Sequence, residues 1–289
     1  MIIDLHIHSK ASDGRLSIQE IFEETKSRKI GFTAITDHDS IDCQSQAMTI
    51  AKKFGVRYVT GVELNVTFSH SKYNQGKNVS LDFLGYQFDE RNKLLKNKLE
   101  AMAKYREERA AKILNNLNKE FRKESITALT NNDLRQIEEA VDGVLGRPHI
   151  ADYLVKKKIV GTRQEAFDKY LVKCDVPKYP LDLAEASRLI RNAGGKLVLA
   201  HPNDPHGTSL VSLSKSLVEQ TEIVQEEMLP YIDGIECWHS RSTLETTNHY
   251  MRFAKEKELM MTGGSDCHQK PILMGTVRIP EWVIDQFTL

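Results

Sequence analysis

Six segments of this sequence carry side chains that ligate metal ions or move protons: Asp4-Leu-His6-Ile-His8, Thr36-Asp37-His38-Asp39, Gly61-Val-Glu63, Asp82, Ala200-His201-Pro202 and Gly264-Ser-Asp266-Cys-His268. In His6-Ile-His8 a strand period of two puts both imidazoles on one face, and Asp266 and His268 leave a strand end together by the same rule. One such pair alone reads as two half-buried strand histidines. Six elements bearing His, Asp and Glu read as a metal site. Imidazole and carboxylate suit zinc, iron and manganese, and a bridging carboxylate lets two or three ions sit close together. The six segments must converge for this to hold.

Each segment falls at or near the end of an apolar run. Residues 2–7, 32–36, 56–62, 79–86, 196–200, 232–238 and 259–262 read as strands, seven in all. Helices are expected at 17–28, where Ser17 is the N-cap and Glu20 completes a capping box, and at 42–54, 181–193, 211–229 and 244–257. Strand alternating with helix predicts a parallel α/β fold, which presents function at the C-terminal ends of its strands. Between the fourth and fifth strands the texture changes. Residues 92–124 are almost unbroken helix former, with apolar residues at Leu95, Leu99, Met102, Ile113, Leu114 and Leu117. Helices at 130–140, 148–157 and 162–172 follow before Val176-Pro177-Lys178-Tyr179-Pro180 breaks the pattern. The expected division is one unit from 1–90 and 181–289, interrupted by an all-helical insertion at 91–180.

Composition narrows the function further. Forty Lys and Arg balance forty Asp and Glu, which gives no basic footprint for long duplex nucleic acid and no polybasic membrane patch. Any anion must be captured locally. Met1-Ile2-Ile3-Asp4 lacks the features of a signal peptide, no run approaches the ~18 apolar residues of a membrane helix, and the four cysteines form no tight framework. A cytoplasmic protein with free thiols is expected. No obligate protein partner is evident, and neither a Walker A run nor GxGxxG is present.

The order and spacing of these segments resemble the polymerase and histidinol phosphatase (PHP) superfamily of metal-dependent phosphoesterases. The resemblance rests on His6-Ile-His8-Ser9-Lys-Ala-Ser12-Asp13-Gly14, Ile35-Thr36-Asp37-His38-Asp39, Gly61-Val-Glu63, Ala200-His201-Pro202 and Gly264-Ser265-Asp266-Cys-His268, and covers the whole chain. It implies a distorted seven-stranded β/α barrel. Gly146-Arg147-Pro148-His149-Ile150-Ala151 within the helical stretch is similar to the branch that hydrolyses nucleoside monophosphates, 3',5'-bisphosphonucleotides or short RNA 5' ends. Hydrolysis of histidinol phosphate is an alternative within the enzyme class. A non-catalytic metal-binding or polymerase-associated module is one outside it.

The resemblance implies two to three divalent ions, manganese, iron or zinc, on nine ligands. His6, His8, Glu63 and Asp266 hold the first, Glu63 bridges to a second held by Asp82 and His201, and Asp13, His38 and His268 hold the third. Asp82 departs from the family, which usually has His there; the harder oxygen ligand favours manganese or magnesium. Four carboxylates against three divalent ions leave a local charge of about +2, which suits a phosphate. The implied mechanism is in-line attack by a metal-bound hydroxide, with Asp13, His38, Glu63, His201, Asp266 and His268 as the catalytic set. Arg147, His149 and His239 are expected to meet substrate, with a capping role for His239 also open. Asp37 and Asp39 are expected to orient the second ring nitrogen of His38. Trp238 reads as core, and His70, His206 and His249 as surface residues.

Overall fold

Two open sheets carry the predicted site residues in the computed structural model, which describes residues 1–140, 145–206 and 208–288. The first contains β1 (Ile2–Asp4), β2 (Ile30–Thr33) and β3 (Arg57–Tyr58), all parallel. The second runs in the order β4 (Gly61–Phe68), β5 (Val79–Tyr86), β6 (Lys196–Leu199), β7 (Gly234–His239), β8 (Met260–Gly264). The fold is mixed α/β. It differs from a seven-stranded parallel layout in two ways. The run expected at 56–62 breaks after Tyr58, so β3 completes one sheet and β4 begins the other. The pairs β4/β5 and β5/β6 are antiparallel. Loop 69–78 between β4 and β5 is shorter than the dozen or so residues of a crossover, so the two strands close as a hairpin.

The sheet edges meet where the chain leaves β1 and β2. Leu5 N donates to Gly263 O at 3.1 Å and Asp266 N to His6 O at 2.8 Å, while Asp39 N donates to Glu63 O at 2.8 Å. These contacts bring His6 and His8 beside Asp266, and His38 beside Glu63. Gly264 permits the first approach, since a Cβ there would lie 2.4 Å from His6 N.

Helix starts follow the sequence signals. In α1 (Ile18–Ser27) the Ser17 and Glu20 capping box is formed in both directions. Both α1 and α2 (Gln44–Phe54) bury Ile21, Phe22, Ala47 and Ala51 with residues of the first sheet. Between β5 and β6 lie α3 (Lys93–Lys123), α4 (Asn131–Glu139), α5 (Arg147–Lys156), α6 (Arg163–Ala166) and α7 (Leu183–Asn192). The first half of α3 places Leu95, Leu99 and Met102 in the core of the second sheet. Its second half places Ile113, Leu114 and Leu117 in a separate cluster with Ile150, Leu154 and Tyr170. The helix expected at 162–172 is α6 continued by a π turn (Phe167–Leu171). The one expected at 211–229 breaks into a 3-10 turn (Leu210–Ser212), α8 (Leu217–Ile223) and a π turn (Val224–Met228), because Ser216 caps a new start by accepting from Glu219 N. Last comes α9 (Leu244–Glu256), whose Tyr250 and Phe253 pack in the core of the second sheet. No helix among the described residues is long and apolar enough to cross a membrane.

Candidate metal centre and active-site cavity

Backbone geometry at the sheet edges is unusual where the candidate ligands emerge. Asp39, His201 and Asp266 adopt φ of 49°, 24° and 54°, a region costing non-glycine residues about 1–3 kcal/mol each that is concentrated at functional sites. The surrounding hydrogen bonds hold that strain. Asp4, the buried last residue of β1, accepts from Ser265 N at 2.9 Å and Gly275 N at 2.8 Å, which fixes the segment bearing Asp266 and His268.

The nine candidate ligands come together. His8 Nε2 lies 3.2 Å from Glu63 Oε2 and 3.3 Å from Asp266 Oδ1, and His6 Nε2 lies 3.5 Å from each of the same two oxygens. Asp13 Oδ1 lies 3.2 Å from His268 Nε2 and 4.0 Å from His38 Nε2. Glu63 Oε1 is 3.0 Å from His201 Nε2, and Glu63 Oε2 is 3.0 Å from His38 Nδ1. Ligand atoms of His8, Asp13, His38 and His268 fall within 4.8 Å of one another, as do those of His6, His8 and Asp266, of His6, Glu63 and His201, and of His38, Glu63 and Asp82. Asp82 therefore groups with His38 rather than with His201. Its two oxygens accept from Asn65 Nδ2 and Thr208 Oγ1.

The chemistry of these donors fits divalent cations. His8 Nδ1, Asp13 Oδ1, Glu63 Oε2 and His201 Nδ1 are buried without a hydrogen-bond partner, an arrangement that is costly unless another group satisfies it. Burial would raise the carboxyl of Asp266, but His268 and His6 hold it well below its ordinary value, and His38 and His6 do the same for Glu63. Burial holds the His38 imidazole down to about 4, leaving it neutral near pH 7. Burial also opposes charge on His8 and His201, yet the neighbouring carboxylates lift them to about 10 and about 9. The carboxylates thus stay charged in a buried setting, which suits a cation.

Hydrogen bonds to the outer ring nitrogens set which nitrogen faces inward. His6 Nδ1 meets Glu236 Oε1 at 3.0 Å, and His268 Nδ1 meets the Asp266 carbonyl at 3.0 Å, so Nε2 is the nitrogen that each ring turns to the cluster. Glu236 also accepts from His201 N at 2.8 Å. It was not among the expected residues, although a carboxylate inside the apolar run Ile235-Glu236-Cys237-Trp238 is itself a signal, since such residues are almost never fully buried unpaired. Asp37 and Asp39 do not orient His38 as expected. Asp37 accepts from Ser9 N, Ser9 Oγ and Ser12 Oγ at 2.6–2.7 Å, and Asp39 accepts from Asn65 N and pairs with Arg106. Three short bonds from one tight loop exhaust the first, and the second turns toward α3.

Above the cluster lies a cavity of about 260 Å³. Asp13, His38, Glu63, His201, Asp266 and His268 line it on one side. Arg106, Arg109, Arg147 and Lys178 line it too, together with the Phe167 ring. Asp175 holds two of these cations: it pairs with Arg109, and its Oδ2 is 2.6 Å from Arg147 Nη1. The Arg147 guanidinium stands 5.6 Å from the Phe167 ring centroid. Arg241, also unforeseen, lines the cavity and donates to Asp266 Oδ2 at 2.6 Å and Asp204 Oδ2 at 2.8 Å. His149 is outside this lining, since its Nδ1 accepts from Gly146 N at 3.0 Å and it borders a neighbouring cavity. His239 is buried behind the cluster, 3.3 Å from Asp266 Oδ2. Trp238 is core, 5.9 Å from Trp282. His206 is exposed at the cavity and His249 half-buried, whereas His70, expected at the surface, is buried beneath Tyr73 with its Nε2 3.6 Å from Glu226.

Known proteins are similar to this chain in sequence and fold. A 5'-3' exoribonuclease of Haemophilus influenzae is 29% identical over 92% of this chain and 89% of its own length. A 3',5'-nucleoside bisphosphate phosphatase of Chromobacterium violaceum is 25% identical over 92% of this chain and 87% of its own. Among solved structures, an amidohydrolase from Chromobacterium violaceum with bound sulfate superposes with a TM-score of 0.79 at 24% identity, over 99% of this chain and 95% of that one, a likeness of fold. Residues 4–174, more than half of the chain, match the PHP domain, and the chain belongs to the PHP domain family.

Proposed function

We propose that this chain is a metal-dependent phosphoesterase that hydrolyses phosphate esters of nucleotides: nucleoside monophosphates, 3',5'-bisphosphonucleotides or the 5' ends of short RNA. One observation carries this reading: an anionic cluster of His, Asp and Glu shares a single cavity with Arg106, Arg109, Arg147 and Lys178. The named activities of the Haemophilus and Chromobacterium relatives support nucleotides as the substrate class.

In this reading His6, His8, Glu63 and Asp266 would hold one ion, Glu63 and His201 a second, and Asp13, His38 and His268 a third, with Asp82 reaching the cluster on the His38 side; manganese, iron or zinc are candidates and magnesium is admissible beside Asp82. Two to three ions bound there would lower the pKa of water toward about 7 and neutralise charge on phosphoryl oxygens. Arg147 and Arg109, held by Asp175, present guanidinium forks that match phosphate oxygens two at a time. Arg106 and Lys178 add charge on the same wall. Phe167 offers an apolar face on which a nucleobase can stack. Glu236 keeps His6 oriented, and Asp266, shared by His239 and Arg241, links the cluster to the wall.

The proposed architecture is a distorted seven-stranded β/α barrel from residues 1–90 and 181–289, capped by a helical insertion at 91–180. The separate apolar cluster of the helices and the cavity-lining cations of α3 and α5 support the capping insertion. Four buried free cysteines support a cytoplasmic setting. The test is phosphate release by metal-loaded protein from mononucleotides, bisphosphonucleotides, 5'-phosphorylated RNA and histidinol phosphate. Turnover of nucleotides over histidinol phosphate is expected; turnover of histidinol phosphate alone would overturn the substrate class.

A further inference from the structure

A second cavity, of about 380 Å³, adjoins the first and shares Ser12 and Asp13 with it. The start of α5 divides the two. Gly146, Arg147 and Pro148 line the first, whereas His149 and Asp152 line the second. A ligand passing Asp13 therefore enters a space with its own charged groups.

Among the described residues, Lys10, Arg15 and Arg163 bring three cations to this space against one carboxylate, Asp152, apart from the shared Asp13. Arg163 satisfies that carboxylate with Nε at 2.8 Å. Arg15 reaches it only at 3.3–3.4 Å from a side chain that is 56% exposed, and Lys10 makes no ion pair among the described residues. Among the described residues two cations are thus in excess, in a protein of zero net charge. Arg163, already satisfied by Asp152, serves as a structural clamp, whereas Arg15, held this loosely, can turn to a phosphate oxygen at little cost.

We propose that this second cavity is a subsite for the next phosphodiester-linked nucleotide of an oligonucleotide whose terminal phosphate occupies the first cavity, with Lys10 and Arg15 gripping the bridging phosphate. The inference rests on the nucleotide phosphoesterase reading. It adds a means of telling an oligonucleotide from a mononucleotide without touching the metal cluster. Binding through such contacts is electrostatic and falls with salt.

The experiment compares wild type, the double variant Lys10→Ala/Arg15→Ala, and Lys53→Ala as a remote surface control. kcat/KM is measured for a nucleoside 3',5'-bisphosphate and for a 5'-phosphorylated tetranucleotide, and fluorescence anisotropy gives the affinity for a phosphorothioate tetranucleotide. The double variant should keep bisphosphate turnover within about twofold and lose about ten- to thirtyfold on the tetranucleotide in both assays, with a shallower salt dependence. Its melting temperature should hold, because Arg163 still engages Asp152. Unchanged tetranucleotide affinity with both substrates turned over by wild type would overturn the subsite and leave the phosphoesterase reading standing. Weakened phosphorothioate affinity with no turnover by wild type would sustain the subsite and overturn that reading. Equal losses on both substrates would place Lys10 and Arg15 in the first cavity and overturn the proposal.

Discussion

His6 Nδ1 lies 3.0 Å from Glu236 Oε1, and both side chains are wholly buried. The same carboxylate accepts from His201 N, so one group fixes the ring of one candidate ligand and the backbone of another. Glu236→Gln preserves the shape and removes the charge that favours an Nδ1–H on His6. Metal affinity should fall about 10- to 100-fold with little change in fold, as read by competition with a chromogenic chelator. Unchanged affinity would reduce Glu236 to a core residue.

Asp175 stands behind two arginines of the cavity wall, with Oδ2 2.6 Å from Arg147. Arg147→Ala should leave metal content intact and cost about 1.5–3 kcal/mol of transition-state binding, the usual size for a charged hydrogen bond. Arg147→Lys should recover only part, for want of a bidentate contact. Asp175→Asn should raise KM in the same direction, by less. Wild-type kinetics in all three would remove α5 from phosphate recognition.

Burial holds the Lys178 ammonium down to about 8, with Asp82 pulling it up and Arg106, Arg147 and Arg109 adding to the burial. The sign follows from a lowered value: the cationic form is present below that pH and is lost as pH rises through it. KM for a phosphorylated substrate should therefore rise between about pH 7 and 9. In Lys178→Arg the charge persists and the rise should vanish. A rise of the same size in the variant would assign it to another group.

His6→Ala and Asp266→Ala should each lower metal content and phosphate release together, because both side chains belong to the buried cluster around His8. His249→Ala, at the half-buried contact with Thr221 3.2 Å away, should change neither. The readouts are elemental analysis and phosphate release on the same preparations. Parallel losses in all three variants would point to unfolding rather than ligation.

The strand ends tied Asp266-Cys-His268 to its position after β8, whereas the full set of candidate ligands, His6 and His8 beyond the end of β1 among them, followed from the family resemblance. The helices were legible through caps such as Ser17 with Glu20. Strand direction was not, since nothing local in 79–86 says whether β5 pairs as a hairpin or after a crossover. The cationic wall left a trace that apolar periodicity alone passes over. Leu95, Leu99, Met102, Arg106, Arg109 and Ile113 form one helical stripe spaced by three and four, with arginine where the stripe crosses the cavity. Partners distant in sequence, such as Asp175 for Arg147 or Glu236 for His6, appear only once the chain is folded.

The most direct test is phosphate release from a nucleoside 3',5'-bisphosphate by protein stripped of metal by chelator and then titrated with manganese. The account predicts no release from the stripped protein and recovery that saturates at two to three ions per chain. Full release from the stripped protein, or none at saturating manganese, iron or zinc, would contradict it.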